Sequence, residues 1–148
     1  MEIWFYHLER TPLDKVLPGL LEKTLANQWR ALISSPDPAR LSWLDQWLWS
    51  YADDSFLPHS LSTLPRAEQQ PILLTTDSKN ENDSQVAFLL DGADPSDFAG
   101  FERAIVMFDD ADTNAVQNAR KFWKTAKAKA QTICYWKQNQ AGKWENLA

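Results

Sequence analysis

Three carboxylates lie close together in the segment Phe108-Asp-Asp-Ala-Asp112, directly after a short apolar run typical of a buried strand. Open α/β sheets usually bind ligands at the carboxyl ends of their strands, and carboxylates there can hold Mg²⁺ for phosphoryl transfer. One hypothesis is therefore a Mg²⁺-dependent phosphoryl-transfer enzyme that uses Asp109, Asp110 and Asp112. We favour the alternative that Asp112 caps the next helix while Asp109 and Asp110 solvate the turn near its positive dipole, because no phosphate-binding segment accompanies them.

A basic segment, residues 119–130, holds five of the 15 lysines and arginines and no acidic residue. Helical neighbours are three and four positions apart, so Arg120, Trp123, Lys124 and Lys127 would share one stripe. A second, apolar stripe is expected to face the sheet: Ala115, Ala119, Phe122 and Ala126. An arginine beside an exposed tryptophan would suit a peptide end that carries an aromatic side chain and a free carboxylate. A solvated lysine face with Trp123 in the core fits this pattern equally well.

The sequence contains no motif for nucleotide binding, zinc binding or nucleophilic catalysis. The four glycines form neither G-x-G-x-x-G nor a P-loop, so no nucleotide-binding motif is visible. Two histidines and one cysteine are too few for a Cys/His zinc site, and no serine or cysteine lies in an elbow motif. We therefore expect no cofactor, no metal and no nucleophilic triad at His7 or His59. The pair Asp53-Asp54 is expected to be an exposed loop.

The charge is distributed unevenly along the chain. Residues 1–118 hold 8 basic and 19 acidic residues, a net of −11, whereas residues 119–148 hold 7 basic residues and one acid, a net of +6. Such a body would repel nucleic acid, so a small acidic partner is favoured over direct DNA binding. No apolar run is long enough to span a bilayer, no signal peptide is visible, and Cys134 is the single cysteine. These features predict a cytoplasmic protein without membrane contact.

The elements that would position these residues alternate between strands and helices. A first helix is expected from Thr11, as N-cap, to about Asn27. A second is expected to begin at the segment Ser35-Pro-Asp-Pro38, and a third to run from Asp112 or Thr113 to about Ala130. Leu41, Leu44 and Leu48 would face the core from the second helix, and Val16, Leu20, Leu21 and Leu25 from the first. Strands are expected at 2–8, 29–34, 71–76, 86–90, 104–108 and 132–136, with 56–59 in a loop. This order predicts a three-layer, Rossmann-like α/β domain with a mostly parallel central sheet, spanning residues 1–148 as a single domain.

Four segments in this order resemble the chi subunit of bacterial DNA polymerase III holoenzyme. They are Leu44-Asp-Gln-Trp-Leu-Trp49, Ser55-Phe-Leu-Pro-His59, Ala119-Arg120 with Trp123-Lys124, and Tyr135-Trp136 with Gly142-Lys-Trp144. The resemblance covers essentially the whole chain, and the first two segments are its most specific part. It implies a non-catalytic accessory protein of the clamp-loader complex, with a Rossmann-like fold that binds no nucleotide.

The resemblance also implies partners and the residues that meet them. Family members bind the acidic, Pro-Phe-ended C-terminal tail of single-stranded-DNA-binding protein, and they bind the psi subunit where one exists. By position, Arg120 would meet the terminal carboxylate of the tail, and Trp123 and Trp49 would line its pocket, with Lys124 and Lys127 supplying positive charge. The segment Phe56, Leu57 and Pro58 would contact psi or a helicase-type partner. Direct, tight nucleic-acid binding is not expected.

Two positions depart from the family pattern of the tail-binding groove. Better-known members carry a valine near Asp109 and a lysine near Val116, so an acid and an apolar residue replace them here. Asp109 would repel an acidic peptide if it faced the groove, and Lys121, Lys124 or Lys127 would have to supply the missing charge.

Overall fold

The computed structural model describes residues 1–52 and 56–148. The predicted Asp53-Asp54 loop and Ser55 of the Ser55–His59 segment lie outside these ranges. Within them, no helix has the length and apolar character needed to cross a bilayer.

The described residues form one eight-stranded sheet. Its strands, in chain order, are β1 (Glu2–Leu8), β2 (Ala31–Ser34), β3 (His59–Leu61), β4 (Ile72–Thr75), β5 (Val86–Leu89), β6 (Arg103–Asp109), β7 (Thr132–Gln138) and β8 (Trp144–Asn146). They lie side by side in the order β3-β4-β2-β5-β6-β1-β7-β8. Every neighbouring pair is parallel except β7 and β8, which are antiparallel. Every residue of β2, β4 and β5 is buried, as expected for central strands covered on both faces.

Among residues 1–52 and 56–148, three α-helices cover the two faces of the sheet: α1 (Leu13–Ala26), α2 (Pro38–Ser50) and α3 (Thr113–Ala128). Helices α1 and α2 share one apolar core with sheet residues such as Ile33 and Phe88. Helix α3 and a short 3₁₀ turn, Pro95–Phe98, share the core on the opposite face, which contains Phe5 and Val106. The predicted three-layer α/β fold with a mostly parallel sheet is therefore confirmed.

Helix α2 follows its sequence signals closely. Pro38 is its first residue, and the Asp37 side chain accepts a hydrogen bond from the Ala39 N–H (3.0 Å), which satisfies one of the free amides of the first turn. The predicted core face of Leu41, Leu44 and Leu48 is buried, which confirms the helical periodicity.

The start of α1 differs from the prediction. The helix begins at Leu13 with Pro12 at the N-cap position, and the Thr11 hydroxyl instead accepts a hydrogen bond from the Gln138 side chain on β7 (3.2 Å). Leu17 and Leu21 are the fully buried leucines of this helix. Val16, Leu20 and Leu25, which were expected on the core face with Leu21, are only partly buried.

Two strands of the described residues were not predicted, the edge strands β3 and β8. Residues His59–Leu61 were expected to begin as a loop, but they form β3, which pairs in parallel with β4 at the edge of the sheet. Three residues are too few to show the alternation that identifies a strand, and this one depends on its partner.

Candidate functional site

A groove of about 310 Å³ lies where α3 crosses the carboxyl ends of β1 and β6 and the neighbouring strand β7. We call it the Arg120 groove. Its lining residues are His7, Phe108, Asp110, Val116, Ala119, Arg120, Trp123, Lys124, Tyr135 and Leu147. Three of the predicted tail-binding residues, Arg120, Trp123 and Lys124, therefore come together, with Val116 beside them.

Helix α3 presents this stripe because its other side is fixed on the sheet. The Asp112 side chain accepts a hydrogen bond from the Ala115 N–H (3.1 Å), so the predicted N-cap is confirmed. Ala119 and Ala126 are buried, and their small side chains let the helix approach the strands closely. Phe122 was expected in the core but is only partly buried, and it packs against the apolar cluster that contains the two alanines.

Trp123 is both a packing residue and a wall of the groove. Its ring meets Phe5 edge-on (centroids 5.6 Å apart) and Tyr135 edge-on (5.4 Å), so one side is anchored in the apolar core. The Lys127 ammonium lies 5.4 Å from the Trp123 ring centroid, at cation–π distance. The sequence allowed Trp123 to be either an exposed binding residue or a core residue. In the structure one side of its ring packs in the core and the residue also lines the groove.

A hydrogen-bonded triplet forms one end of the groove. His7, which is buried, lies with Nδ1 2.7 Å from the Tyr135 hydroxyl and Nε2 2.6 Å from the Asp110 carboxylate. Burial raises the pKa of Tyr135, although the positive charges of Lys137 and Arg120 act in the opposite direction. The phenol thus stays protonated at neutral pH and offers a fixed polar group beside Arg120.

Comparison with known proteins shows the family of the chain. A family model described as "DNA polymerase III chi subunit, HolC" matches residues 1–133. The chain belongs to the DNA polymerase III chi subunit family. It is also 24% identical over 149 residues to the probable DNA polymerase III subunit chi of Rickettsia prowazekii (strain Madrid E), covering 97% of this chain and 90% of that protein. The resemblance found from the sequence is confirmed.

As a chi subunit, the protein is a non-catalytic accessory subunit of DNA polymerase III that takes part in DNA replication. The phosphoryl-transfer hypothesis for Asp109, Asp110 and Asp112 was therefore wrong. The three side chains also have separate partners: Asp109 accepts from the Ala111 N–H (2.9 Å), Asp110 contacts His7, and Asp112 caps α3. No group of three or more His, Cys, Asp or Glu residues in 1–52 and 56–148 is arranged to hold a metal ion.

The acidic residue of the Arg120 groove in this chi subunit is Asp110, whereas the sequence had pointed to Asp109. Asp109 instead lines a neighbouring cavity of about 280 Å³, together with Asp112 and the bidentate ion pair of Arg40 and Asp91 (2.9 and 3.0 Å). The sequence identified a carboxylate near the groove but not which one, because successive residues at the end of a strand point to opposite sides.

Trp49 does not lie among the residues that line the Arg120 groove. It belongs to α2, on the opposite face of the sheet, and packs against Phe56 (5.5 Å) and His59 (4.2 Å). We call these three residues the Trp49 cluster. Trp49 is 49% exposed and Phe56 69% exposed, so the cluster offers an aromatic surface at the β3 edge of the sheet.

The three residues that follow Phe56 in the chi-like segment are buried or partly buried. Leu57 was predicted to contact a partner, but it is only 2% exposed and packs in the core shared with α1 and α2. Pro58 is partly buried. His59 is buried, with Nδ1 2.6 Å from the Leu57 carbonyl and Nε2 2.9 Å from the Asp45 carbonyl, so it holds this segment against α2.

Proposed function

We propose that this chi subunit binds the acidic C-terminal tail of single-stranded-DNA-binding protein in the Arg120 groove. In this way it would link the clamp-loader complex of the polymerase to coated template DNA. The observation that carries the proposal is the combination, in one groove, of aromatic walls with the cations Arg120 and Lys124. A peptide that ends in Pro-Phe presents the complementary chemistry, which is a benzyl side chain, a terminal carboxylate and further acids.

The aromatic walls account for the terminal phenylalanine. Trp123, Tyr135 and Phe108 line the groove, and Trp123 and Tyr135 are held edge-to-face by core packing. Such a preordered wall binds an apolar side chain with little loss of its own conformational freedom. The benzyl ring would lie against Trp123, with Val116 and Ala119 as the small residues below it.

The positive charges account for the carboxylates. Arg120 is exposed and takes part in none of the ion pairs among residues 1–52 and 56–148, so its guanidinium is available for a bidentate contact. Lys124 lies one turn further along α3, and Lys127 lies over the Trp123 ring. These lysines would attract the preceding acids of the tail, and few anchors imply an affinity on the order of micromolar.

The test is fluorescence anisotropy with a labelled acidic peptide that ends in Pro-Phe. Arg120→Ala should weaken binding roughly tenfold or more, as expected for loss of a charged hydrogen-bonding anchor. Lys129→Ala is the matched control, because it removes one charge from the exposed end of the same helix outside the groove. Equal effects of the two substitutions, or binding that is insensitive to salt, would contradict the proposal.

We also propose that the Trp49 cluster contacts a second protein, psi or a helicase-type partner. Phe56 is the most exposed large apolar side chain of the described residues, and such aromatics are enriched among binding hot spots. Pro58 would flank the contact, Trp49 would join it rather than the tail groove, and Leu57 would support it from the core. Phe56→Ala should abolish co-purification with psi or the helicase-type partner and leave the peptide affinity measured by anisotropy unchanged. Loss of both would argue against two separate surfaces.

We further propose that residues 1–148 act as one domain in the cytoplasm and do not bind nucleic-acid strands tightly. The membership in a DNA replication family supports a place in the cytoplasm. The net charge of −5 argues against tight binding of nucleic-acid strands. A single cooperative unfolding transition and the absence of a mobility shift with single-stranded DNA alone are the corresponding tests.

A further inference from the structure

His7 is the buried ionisable residue of the Arg120 groove, with a side chain that is only 10% exposed. It lies near the carboxyl end of β1, between β6 and β7, and its ring packs on Phe108 with centroids 4.7 Å apart. Nε2 lies 2.6 Å from the Asp110 carboxylate, and Nδ1 lies 2.7 Å from the Tyr135 hydroxyl. Both ring nitrogens are therefore engaged, so the protonation state of the ring determines what the hydroxyl can do.

The two ring nitrogens have different roles because their partners differ. An ionised carboxylate only accepts hydrogen bonds, so Nε2 donates to Asp110. In a neutral imidazole the other nitrogen carries no hydrogen, so Nδ1 accepts a hydrogen bond from the O–H of Tyr135. The one phenolic proton is then committed to His7 and is not available to a ligand.

Protonation of His7 reverses the hydrogen bond with Tyr135. Both nitrogens of an imidazolium donate, so Nδ1–H then donates to the Tyr135 oxygen and the phenolic O–H is released. Among the described residues, the hydroxyl has no hydrogen-bond partner other than His7. Tyr135 lines the groove, close enough to Arg120 for the charge of the guanidinium to act on the phenol. The released O–H is therefore left for an acceptor that enters the groove beside Arg120.

We propose that His7 is a proton-linked positioning residue: in its protonated form it makes the Tyr135 hydroxyl a second donor, beside Arg120, for the terminal carboxylate of a bound peptide. The inference rests on the proposed tail-binding function. Because only the protonated ring releases the O–H, the carboxylate binds this form more tightly, and binding takes up a proton from the solvent. The affinity for the peptide should therefore rise as the pH falls through the range in which histidine gains its charge, about pH 8 to 5.

The other charged groups near this end of the groove do not give such a response. They are Arg120 and Lys124 on α3, Lys137 on β7, which is paired with Glu9 after β1 (2.8 Å), and Asp110 after β6. Lysine, arginine and carboxylate side chains ordinarily keep their charge between about pH 6 and 8.5, so histidine is the group that changes in this range. Asp110 has two opposing effects, because it repels an acidic peptide directly and stabilises the protonated ring. At about pH 8.5, where a histidine is ordinarily neutral, only the repulsion remains.

The test is the anisotropy titration of the Pro-Phe-ended acidic peptide at about pH 6 and about pH 8.5, at constant ionic strength. The full native chain should bind about three- to tenfold more tightly at the lower pH, as expected for the net gain of one hydrogen bond. Tyr135→Phe removes the hydroxyl and keeps the aromatic wall, so it should reduce this ratio to less than about twofold. Tyr6→Phe is the matched control and should keep the native ratio, because Tyr6 packs in the core on the face opposite α3, outside the groove. The same peptide with a C-terminal amide lacks the terminal carboxylate and should show no gain at the lower pH.

A second measurement follows the ring itself. The chain has two histidines, His7 and His59. In ¹⁵N spectra of the imidazole nitrogens at about pH 7, saturating peptide should move the His7 signals toward those of the protonated form. The signals of His59, which is buried against α2 and outside the groove, should stay unchanged. His7→Phe assigns the signals and should also remove the pH response of peptide binding.

The proposal is overturned if Tyr135→Phe keeps the full pH response of the native chain, if the native chain binds equally well at both pH values, or if saturating peptide leaves the His7 signals unchanged. Any of these results, with binding that is still weakened by Arg120→Ala, leaves the tail-binding function intact. A peptide that fails to bind at both pH values, by contrast, removes the tail-binding function and this inference together.

Discussion

Asp110 is the one acidic residue in the lining of the Arg120 groove, and it should weaken the binding of an acidic peptide. Asp110→Asn removes its charge and keeps a hydrogen-bonding partner for His7 Nε2, which now lies 2.6 Å from Oδ1. The substitution is therefore expected to leave the His7–Tyr135 contact in place and to increase the affinity for the tail peptide.

The size of the gain follows from distance and exposure. The Asp110 side chain is 54% exposed, so its field is screened by water. A groove of about 310 Å³ is on the order of 8 Å across, and one charge pair at that separation is worth about 0.5–1 kcal/mol at effective dielectric constants of roughly 40–80. The affinity should therefore rise about two- to fivefold at low salt, and the gain should shrink as salt is added.

The assay is the anisotropy titration at two ionic strengths, with Asp109→Asn as the matched control. Asp109, the last residue of β6, is adjacent in the chain but lines the neighbouring cavity, so its substitution should change the affinity less than about 1.5-fold, within the small range of exposed charges. An equal gain for both variants would show a diffuse charge effect. No gain, or a loss, for Asp110→Asn would mean that the tail does not pass this carboxylate.

Three further predictions concern stability. Burial raises the pKa of Tyr6 to about 12, from 10.0 in the unfolded chain, so the stability that Tyr6 contributes is complete below pH 10 and is lost as the pH rises toward 12. Urea unfolding over this range should show a smaller loss for Tyr6→Phe than for the native chain, and parallel curves would refute the assignment. Asp112→Ala removes the α3 cap and should cost about 1 kcal/mol in urea unfolding; an unchanged midpoint would mean that the cap adds nothing. Leu44→Ala in the core should cost about 2–5 kcal/mol, whereas Trp43→Ala on the exposed side of α2 should cost less, and the reverse order would contradict the orientation of α2.

The strands and helices could be predicted because their signals are local. The apolar runs of β5 and β6, the Asp37-Pro38 start of α2 and the Asp112 cap of α3 each depend on residues within one element. The start of α1 could not be predicted, because the Thr11 hydroxyl bonds to Gln138, 127 positions away. The edge strand β3 could not be predicted for the same reason, because its pairing with β4 is a tertiary contact.

In the candidate site, too, local patterns could be predicted and tertiary contacts could not. Helical spacing placed Arg120, Trp123 and Lys124 on one stripe, and the structure brings them to one groove. The contacts of His7 with Tyr135 and Asp110 could not be predicted, because they require β1 to lie between β6 and β7. Trp49 was expected beside Arg120 but lies on the other face of the sheet, because the sequence does not show that α2 and α3 cover opposite faces.

The order of the strands bears on how an accessory subunit could connect two proteins. The Trp49 cluster lies beside β3 at one edge of the sheet, and the Arg120 groove lies beside β7 near the other edge. Six strand intervals of about 4.8 Å separate β3 from β7, which amounts to roughly 29 Å across the sheet. Because the two surfaces are also on opposite faces, a tail peptide in the groove leaves the Trp49 cluster uncovered. Occupation of one proposed surface should therefore leave affinity at the other unchanged, and the sheet would then act as a spacer between two partners bound at the same time.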